Sequence, residues 1–196
     1  MPSPPRHKSD APWSWQDYLS WPDAERWEII DGTAYAMSPA PSTKHQKIAL
    51  RLSAHLLQQL SGKPCQPFIA PTDVKLSEQD VVQPDIFVVC DPARIRPSHI
   101  EGAPEVVIEV LSPATSSRDL REKKALYEKT GVLEYVLVDP LENYAIRFLL
   151  TDDGYDKGMV FACDELLVFE RLEGLQVPLW EVFELPPPEH AAASGV

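Results

Sequence analysis

Two short apolar runs, each interrupted by one carboxylate, constrain the fold of this chain more than any other feature. The first covers residues 83–89 and contains Asp85, and the second covers residues 106–111 and contains Glu109. Both are rich in β-branched residues, which favour strands. A charge within such a strand is costly unless another group pairs with it. Because adjacent strands lie roughly 5 Å apart, the two runs predict neighbouring strands whose carboxylates flank one cation.

Each carboxylate also has a simpler interpretation. Asp85 follows a proline and could merely cap a turn, while Glu109 could point into water from an edge strand. Along the second strand Val107, Glu109 and Leu111 share one face, and the opposite face is apolar as well. Neither face of this strand has the polar pattern of a solvated surface, so Glu109 is the harder of the two to explain without a partner.

The length of 196 residues fits one domain. We expect a disordered tail at residues 1–12, a single domain over residues 13–185 and a second disordered tail at residues 186–196. Within the domain the informative motifs fall in residues 15–150, and a β appendage is expected over residues 151–185.

Cysteine usage and the N-terminal segment predict a cytoplasmic protein with no membrane partner. Cys65, Cys90 and Cys163 are far apart and form no C-x-x-C pair, which argues against a disulfide framework and a zinc site. Residues 1–12 are polar and proline-rich, without the apolar stretch of a signal peptide. No apolar run approaches the length of a membrane span.

The net charge of −12 argues at first against a nucleic-acid partner. Its distribution weakens that argument. Residues 1–130 hold 15 basic and 17 acidic residues, whereas residues 131–196 hold 3 basic and 13 acidic residues. The part that carries the two carboxylates is therefore nearly balanced, which leaves a phosphate substrate possible without supporting it.

Periodicity and turn residues predict an α/β or α+β domain. The central order is helix, strand, strand, strand, helix, strand, with hairpins on both sides, a pattern typical of a mixed sheet between helices. The predicted elements are a helix over 13–21, a hairpin over 26–38, a helix over 43–60, strands over 66–76, 81–90 and 106–111, a proline-rich connection over 91–103, a helix over 117–130, strands over 133–139 and 144–150, and short strands over 166–169 and 178–183. Ile48, Leu52, Leu56 and Leu60 recur every four residues and form an apolar stripe on the helix over 43–60.

The helix that follows the second run carries a lysine on its apolar side. That side is defined by Leu120, Leu126 and Tyr127. On a helical wheel Lys123 lies near its centre, while Lys124 lies at its edge. The alternative is a lysine whose stem packs on the protein while its ammonium group reaches water. Since one short turn separates this helix from the second strand, we expect the ammonium group of Lys123 to reach the two carboxylates.

Two acids and one lysine at the edge of a sheet indicate metal-assisted phosphodiester hydrolysis. Asp85 and Glu109, with the backbone carbonyl of Val110 as a third ligand, would hold Mg²⁺ or Mn²⁺, since hard cations prefer oxygen ligands. The metal would polarise the phosphate and lower the pKa of a bound water. Lys123 would position that water or stabilise charge that develops on the phosphate.

Several stretches of the chain match the motifs of a known family in order and spacing. They are residues 27–32 (WEIIDG), Ser38-Pro39 with His45, residues 83–85 (QPD), residues 109–115 (EVLSPAT), the D-x-x-x-K-x-x-x-Y series Asp119, Lys123 and Tyr127, and residues 131–135 followed by 138–140 (VDP). Together they resemble the PD-(D/E)XK nuclease superfamily and, more closely, its bacterial Uma-two branch of restriction-endonuclease-like proteins.

This resemblance implies a restriction-endonuclease-like core with a mixed β-sheet flanked by helices, an N-terminal hairpin and a C-terminal β appendage. It also implies a metal-dependent endonuclease that acts on nucleic acid, DNA above all, as a homodimer. The superfamily signature places a lysine two residues after Glu109, where this chain has Leu111. The resemblance to this branch implies that the lysine has moved to the following helix, where the helical wheel places Lys123.

The resemblance also draws attention to two further residues, Glu28 and His45. Glu28 could be another acid at the metal site, directly or through water, or a hairpin glutamate that faces solvent. His45 could touch a phosphate from the first turn of its helix, or make only a local contact at the helix end. Asp119 could pair with Lys123 or Arg118, or simply favour the helix N-terminus.

Three classes of function remain open from the sequence. The first is a metal-dependent nuclease. The second is a binding or structural module that keeps the fold without turnover, which the acidic C-terminal third and Leu111 favour. The third is a metal hydrolase of a small phosphorylated substrate, for which the sequence offers no recognition motif.

Overall fold

The computed structural model describes residues 11–22, 26–37, 40–113 and 115–189. Most of the expected N-terminal tail and the last part of the expected C-terminal tail lie outside these residues. The same holds for three motif residues, Ser38, Pro39 and Ala114.

The chain forms a mixed α/β fold, which confirms the predicted fold class. The helices are α1 (Trp15–Tyr18), α2 (Thr43–Gln59), α3 (Ser116–Arg118), α4 (Lys124–Thr130) and α5 (Leu179–Val182), with a π-helical turn at Asp119–Lys123 and 3-10 turns at Pro92–Arg94 and Glu170–Leu172. The strands are β1 (Trp27–Ile30), β2 (Thr33–Ala36), β3 (Gln66–Ile69), β4 (Asp73–Ser77), β5 (Asp80–Val82), β6 (Ile86–Val89), β7 (His99–Glu101), β8 (Val106–Val110), β9 (Glu134–Asp139), β10 (Tyr144–Thr151), β11 (Gly154–Tyr155), β12 (Met159–Phe161), β13 (Leu166–Phe169) and β14 (Leu175–Pro178). Among the described residues, no helix is both long enough and apolar enough to cross a bilayer.

The two apolar runs form β6 and β8, which are neighbouring interior strands of the larger sheet. Its strand order is β11-β10-β9-β8-β6-β3, and β12 pairs with β10. Strands β8 and β9 are parallel, while β6 pairs with β8 in antiparallel fashion. All residues of β6 and β8 are buried. This burial explains why both runs lack the alternating pattern of a half-solvated strand.

A second sheet has the order β2-β1-β5-β4-β7, and its residues Ile30 and Val74 share a hydrophobic cluster with Phe87 and Val107 of the first sheet. The predicted hairpin β1–β2 is confirmed, and its turn residues Asp31 and Gly32 have φ values of 47° and 70°. Positive φ at both central positions is typical of the tight turns that match strand twist. The strands predicted over residues 66–76 and 81–90 are each split into two shorter strands. Of these, β3 and β6 pair in the larger sheet, whereas β4 and β5 pair in the second sheet.

Two expectations about secondary structure were wrong. The proline-rich connection over residues 91–103 contains the short strand β7, which pairs in parallel with β4. Residues 178–183, expected as a strand, contain the one-turn helix α5 (Leu179–Val182), and only Pro178 belongs to a strand, as the last residue of β14. Helix α5 and the β13–β14 hairpin bury their apolar side chains in the same cluster as the stripe of α2. That stripe is the predicted one, made by Ile48, Leu52, Leu56 and Leu60.

The helix after β8 does not follow the simple wheel. A π-helical turn changes the phase, so Leu120, expected on the buried side, is 44% exposed, whereas Asp119 and Lys123 are turned inward. Lys124 faces a different surface, and its ammonium nitrogen lies 3.8 Å from the centroid of the Phe148 ring. Single π-turns of this kind often occur at functional sites.

The cysteine expectation was also wrong, because Cys65 and Cys90 form a disulfide. The antiparallel register of β3 and β6 pairs Gln66 with Val89, so the next residues outward, the two cysteines, stand opposite each other. A separation of 25 residues hid this proximity in the sequence. Cysteine spacing therefore gives no support for a reducing compartment, and the cellular location stays a prediction.

Glu134 on β9 supplies a pH test of the fold. Its buried carboxylate accepts hydrogen bonds from the backbone N–H groups of Glu170 and Arg171, at 3.2 and 2.9 Å. Burial raises the pKa of Glu134 to about 7, although Arg147 and the two N–H groups oppose the rise. The folded chain therefore holds a proton that the unfolded chain releases, and stability declines as pH rises from about 4.5 to about 7.

We expect the unfolding free energy of the wild type to fall by up to about 3 kcal/mol relative to that of Glu134→Gln between about pH 5 and pH 8. Urea unfolding at both pH values measures this difference. Glu142→Gln, at an exposed position, is the control and should follow the wild type. Parallel pH curves for wild type and Glu134→Gln would contradict the expectation.

Candidate active site

Asp85 and Glu109 face each other across neighbouring strands. Strands β6 and β8 pair Ile86 with Ile108, so the next pair outward is Asp85 opposite Glu109. The backbone N–H of Asp85 donates to Oε2 of Glu109 at 3.3 Å, and the N–H of Val110 donates to Oδ2 of Asp85 at 2.8 Å. The predicted meeting of the two carboxylates is therefore observed.

One oxygen of each carboxylate is held by the protein and the other is largely free. Oε1 of Glu109 accepts hydrogen bonds from Lys123 Nζ at 2.9 Å and from the Tyr127 hydroxyl at 2.8 Å. Oδ2 of Asp85 contacts His45 Nε2 at 3.1 Å as well as its strand N–H. Within the described residues, Oδ1 of Asp85 accepts no hydrogen bond and Oε2 of Glu109 accepts only the long bond of 3.3 Å. Two opposed carboxylate oxygens are thus available to a cation.

Lys123 is the buried cation of this cluster. Its side chain is 6% exposed, and its nitrogen lies 2.9 Å from Glu109 Oε1, 2.9 Å from Glu28 Oε1 and 3.9 Å from Asp119 Oδ1. The expectation that this lysine reaches the two carboxylates is met for Glu109 but not for Asp85, because among the described residues its ammonium group contacts Glu28 and Asp119 instead. The alternative of an ammonium group in water is wrong. The inward position of Asp119 follows from the same π-turn.

Glu28 belongs to the cluster and does not face solvent. It is 2% exposed, and its Oε1 also accepts a hydrogen bond from the backbone N–H of Gln83 at 3.1 Å. Arg118 Nη1 lies 3.9 Å from its other oxygen. Glu28 therefore links the hairpin β1–β2 to Lys123 and to the backbone just before Asp85.

His45 contacts Asp85 rather than its own helix end. Ser42 caps the backbone N–H of His45 at 3.2 Å, so the imidazole is free to reach across to Asp85. Burial lowers the pKa of His45, but Asp85, the Val110 carbonyl and Asp119 outweigh burial and raise it. Nδ1 of the ring is buried without a hydrogen-bond partner among the described residues. The contact between His45 Nε2 and Asp85 Oδ2 fixes the orientation of the Asp85 carboxylate.

The cluster contains more acids than bases. Burial raises the pKa of Glu109 to about 8, and the charges of Asp85, Asp119 and Glu28 add to the rise while Lys123 opposes it. Burial disfavours the ammonium form of Lys123, yet the pKa of Lys123 is raised because Glu109, Glu28 and Asp119 surround it. The excess of buried negative charge favours the binding of a cation.

The cluster opens into a cavity of about 770 Å³ with cations on its lining. Arg26, Lys44 and Arg118 contribute to this lining together with the acids and Lys123. The guanidinium of Arg118 lies over the Tyr35 ring, 4.5 Å from its centroid. Positive groups around an acidic centre are suited to a substrate with several phosphates.

Sequence reasoning missed the parts played by Gln83 and Tyr127. Tyr127 stands four residues after Lys123, a spacing that places both on one helix face, so its bond to Glu109 could have been found. Gln83 offered no such signal, because its amide contacts Arg26, Tyr18 and Asp73, which are distant in the sequence.

The donor set fits a hard divalent cation. Mg²⁺ commonly takes one or two protein carboxylates and completes its shell with water. Asp85 and Glu109 offer two such oxygens, and Val110 lines the same cavity. In the described ranges, no three His, Cys, Asp or Glu side chains form a ready-made metal cage. The remaining ligands would therefore be water and main-chain oxygen.

Comparisons with known proteins agree with this architecture. A family model described as "Uma2: Putative restriction endonuclease" matches residues 15–180. An uncharacterized protein of Synechocystis sp. is 33% identical over 157 residues, which cover 76% of this chain and 81% of that protein. A crystal structure from Anabaena variabilis, described as "a putative nuclease belonging to DUF820", has a TM-score of 0.73 at 21% identity and covers 88% of this chain and 98% of its own.

The structural likeness shows a restriction-endonuclease-like fold, and the family match supports a nuclease-like function. The matched residues 15–180 include every member of the acidic cluster and Lys123. The motifs that resembled the Uma-two branch therefore identified the family correctly, and the chain belongs to the Uma2 family of restriction-endonuclease-like proteins.

Proposed function

We propose that this protein is a metal-dependent endonuclease that hydrolyses phosphodiester bonds of nucleic acid, with DNA as the substrate. One arrangement carries the proposal. The opposed carboxylates of Asp85 and Glu109 each keep an available oxygen, and the Lys123 ammonium group lies 2.9 Å from Glu109. Nucleases of this fold generally use divalent metal ions.

Each residue of the cluster has a role that its contacts support. Asp85, Glu109 and the Val110 carbonyl would hold Mg²⁺ or Mn²⁺, which would supply Lewis acidity at the phosphate. Lys123 is placed to orient the attacking water or to stabilise negative charge on the phosphate. Glu28 keeps Lys123 protonated and oriented, since it contacts the same ammonium group at 2.9 Å.

Cationic side chains at the rim of the cavity would bind the phosphates of the substrate backbone. Lys44 and Arg26 are exposed, and Arg118 is partly exposed beside them. A phosphate backbone neutralised by these cations would release counterions, so affinity should fall steeply with salt. A homodimer, which would allow a cut in both strands of a duplex, stays a prediction.

A binding module without turnover is the second candidate. Two acids already satisfy the Lys123 ammonium group, and Leu111 stands where the superfamily signature has lysine. Under this alternative nucleic acid would bind without being cut.

Cleavage assays separate these two candidates. Purified protein is incubated with single-stranded DNA, duplex DNA and RNA, in Mg²⁺, Mn²⁺ or EDTA. Asp85→Asn, purified by the same route, reports contaminating nuclease. We expect metal-dependent cleavage by the wild type alone; binding without cleavage on every substrate would favour the module.

Metal binding should also be visible in thermal stability. A cation that binds only the folded cluster stabilises it by mass action, and at saturating Mg²⁺ we expect the Tm of the wild type to rise by about 4 °C or more relative to EDTA. Asp85→Asn should show little of this rise, because its side-chain amide is neutral and has one oxygen in place of the two of a carboxylate. Equal Mg²⁺ shifts in wild type and Asp85→Asn would show that the cation binds elsewhere.

A further inference from the structure

A second cavity, of about 670 Å³, adjoins the catalytic cavity. The two share three lining residues, Arg26, Pro71 and Gln83. A cavity of this size is typical of a site for a small molecule or part of a larger substrate. A strand of nucleic acid whose phosphate lies at Asp85 and Glu109 can therefore extend into it without leaving the protein surface.

Aromatic side chains line this second cavity. Tyr18, Trp21 and Phe68 contribute to its walls, and all three are partly exposed. The rings of Tyr18 and Trp21 lie 5.4 Å apart and tilted by 57°. One face of the Tyr18 ring is stacked on Trp15, and one face of the Phe68 ring is stacked on Phe87. The opposite face of each ring is the one that could stack on a nucleobase.

A carboxylate oxygen is fixed at the polar side of the same cavity. Oδ1 of Asp73 accepts hydrogen bonds from the Tyr18 hydroxyl at 2.7 Å and from Gln83 Nε2 at 2.8 Å. The Gln83 amide is held in turn by the Arg26 guanidinium, at 2.9 and 2.6 Å. Within the described residues, Oδ2 of Asp73 accepts no hydrogen bond. The network therefore presents one oriented, unused acceptor beside the aromatic walls.

Cations lie at the same cavity. Arg96 is exposed and lines it, and within the described ranges its guanidinium has no ion-pair partner. Arg26 lies between the two cavities. These groups are placed to contact the phosphate that precedes or follows the one at the acidic cluster.

We propose that the second cavity is a nucleobase subsite, which binds one unpaired base with an exocyclic amine from the strand that is cut. The proposal rests on the proposed nuclease function. The aromatic walls would stack on the base, and Asp73 would accept a hydrogen bond from its amine, as carboxylates do from cytosine. A base can enter such a cavity only when it leaves the helical stack, so unpaired strands are the preferred substrate.

Binding in EDTA, where no metal supports cleavage, tests the subsite. Fluorescence anisotropy compares labelled oligo-dC, oligo-dT and an oligo-dC·oligo-dG duplex. We expect the wild type to bind oligo-dC about tenfold more tightly than oligo-dT, the value of one hydrogen bond to a charged acceptor. We expect the duplex to bind more weakly than oligo-dC.

The decisive variant is Asp73→Asn, which keeps the size of the side chain. Its carbonyl oxygen can still accept from Tyr18, while its amide presents a donor to the cavity, so the dC-to-dT affinity ratio should fall to about one or below. Asp152→Asn, at an exposed turn, makes the same charge change and should keep the wild-type ratio.

Two results would overturn the subsite. One is equal binding of oligo-dC, oligo-dT and duplex by the wild type. The other is a dC-to-dT ratio that Asp73→Asn leaves unchanged. If metal-dependent cleavage still requires Asp85 in either case, the nuclease function stands and the subsite alone fails. Absence of both nucleic-acid binding and cleavage would reject the two proposals together.

Discussion

Glu109→Gln is expected to reduce metal-dependent cleavage by at least about 1,000-fold. The amide cannot hold a divalent cation as a carboxylate does, although its oxygen can still accept from Lys123 and Tyr127. The same change removes one of several acids from a buried cluster in which burial raises the pKa of Glu109 to about 8. In EDTA at about pH 8 we therefore expect a Tm equal to or above that of the wild type. Initial rates and calorimetry measure the two effects.

The opposite directions of these effects make the test specific to a functional site. A residue that only supports the fold would lose stability and activity together, whereas catalytic centres often trade stability for function. Glu142→Gln, an exposed glutamate changed to the same amide, should leave both quantities at wild-type values. Cleavage above one tenth of the wild-type rate in Glu109→Gln would remove this residue from the proposed metal site.

Lys123→Met is expected to lower cleavage by about 100-fold or more while Mg²⁺ still raises the Tm. Methionine keeps most of the side-chain volume but leaves Glu28 and Glu109 buried without their shared cation. Breaking a buried ion pair from one side costs about 3–5 kcal/mol, so rates must be compared at temperatures where the variant is folded. Lys124→Ala, which removes the contact of the Lys124 ammonium group with the Phe148 ring, should cost about 1 kcal/mol or less.

A double variant separates the two contributions of Lys123. In Lys123→Met with Glu28→Gln, removal of one uncompensated acid should recover part of the lost stability, but cleavage should stay low because the ammonium group is absent. The reverse ranking, in which Lys124→Ala abolishes cleavage and Lys123→Met is mild, would show that the wrong lysine has been assigned to the phosphate.

The position of the two acids could be predicted from the sequence because each acid interrupts an apolar run of strand length. A buried charge is costly without a partner, so the two runs were predicted as neighbouring strands whose charges share one. The predicted hairpin at Asp31 and Gly32 and the buried stripe of α2 follow equally from local patterns. The helical wheel placed Lys123 correctly on the buried side of its helix. It also predicted a buried Leu120, which the π-helical turn leaves exposed.

The features that escaped prediction depend on contacts between distant segments. The disulfide between Cys65 and Cys90 follows from the register of β3 and β6, which no local pattern encodes. The Gln83 network brings together Arg26, Tyr18 and Asp73 from three different segments. Helix α5 forms where a proline and apolar residues also suited a strand, and packing on α2 decided between them.

The central claim is that Asp85 and Glu109 hold one divalent cation beside Lys123, and crystals soaked with Mn²⁺ test it most directly. An anomalous difference map should show a peak about 2.0–2.3 Å from a carboxylate oxygen of each acid, with Lys123 still in contact with Glu28. The peak should be absent from crystals of Glu109→Gln treated in the same way. A protein that cleaves nucleic acid with Mn²⁺ yet shows its peak elsewhere, or none between these two acids, would contradict the account.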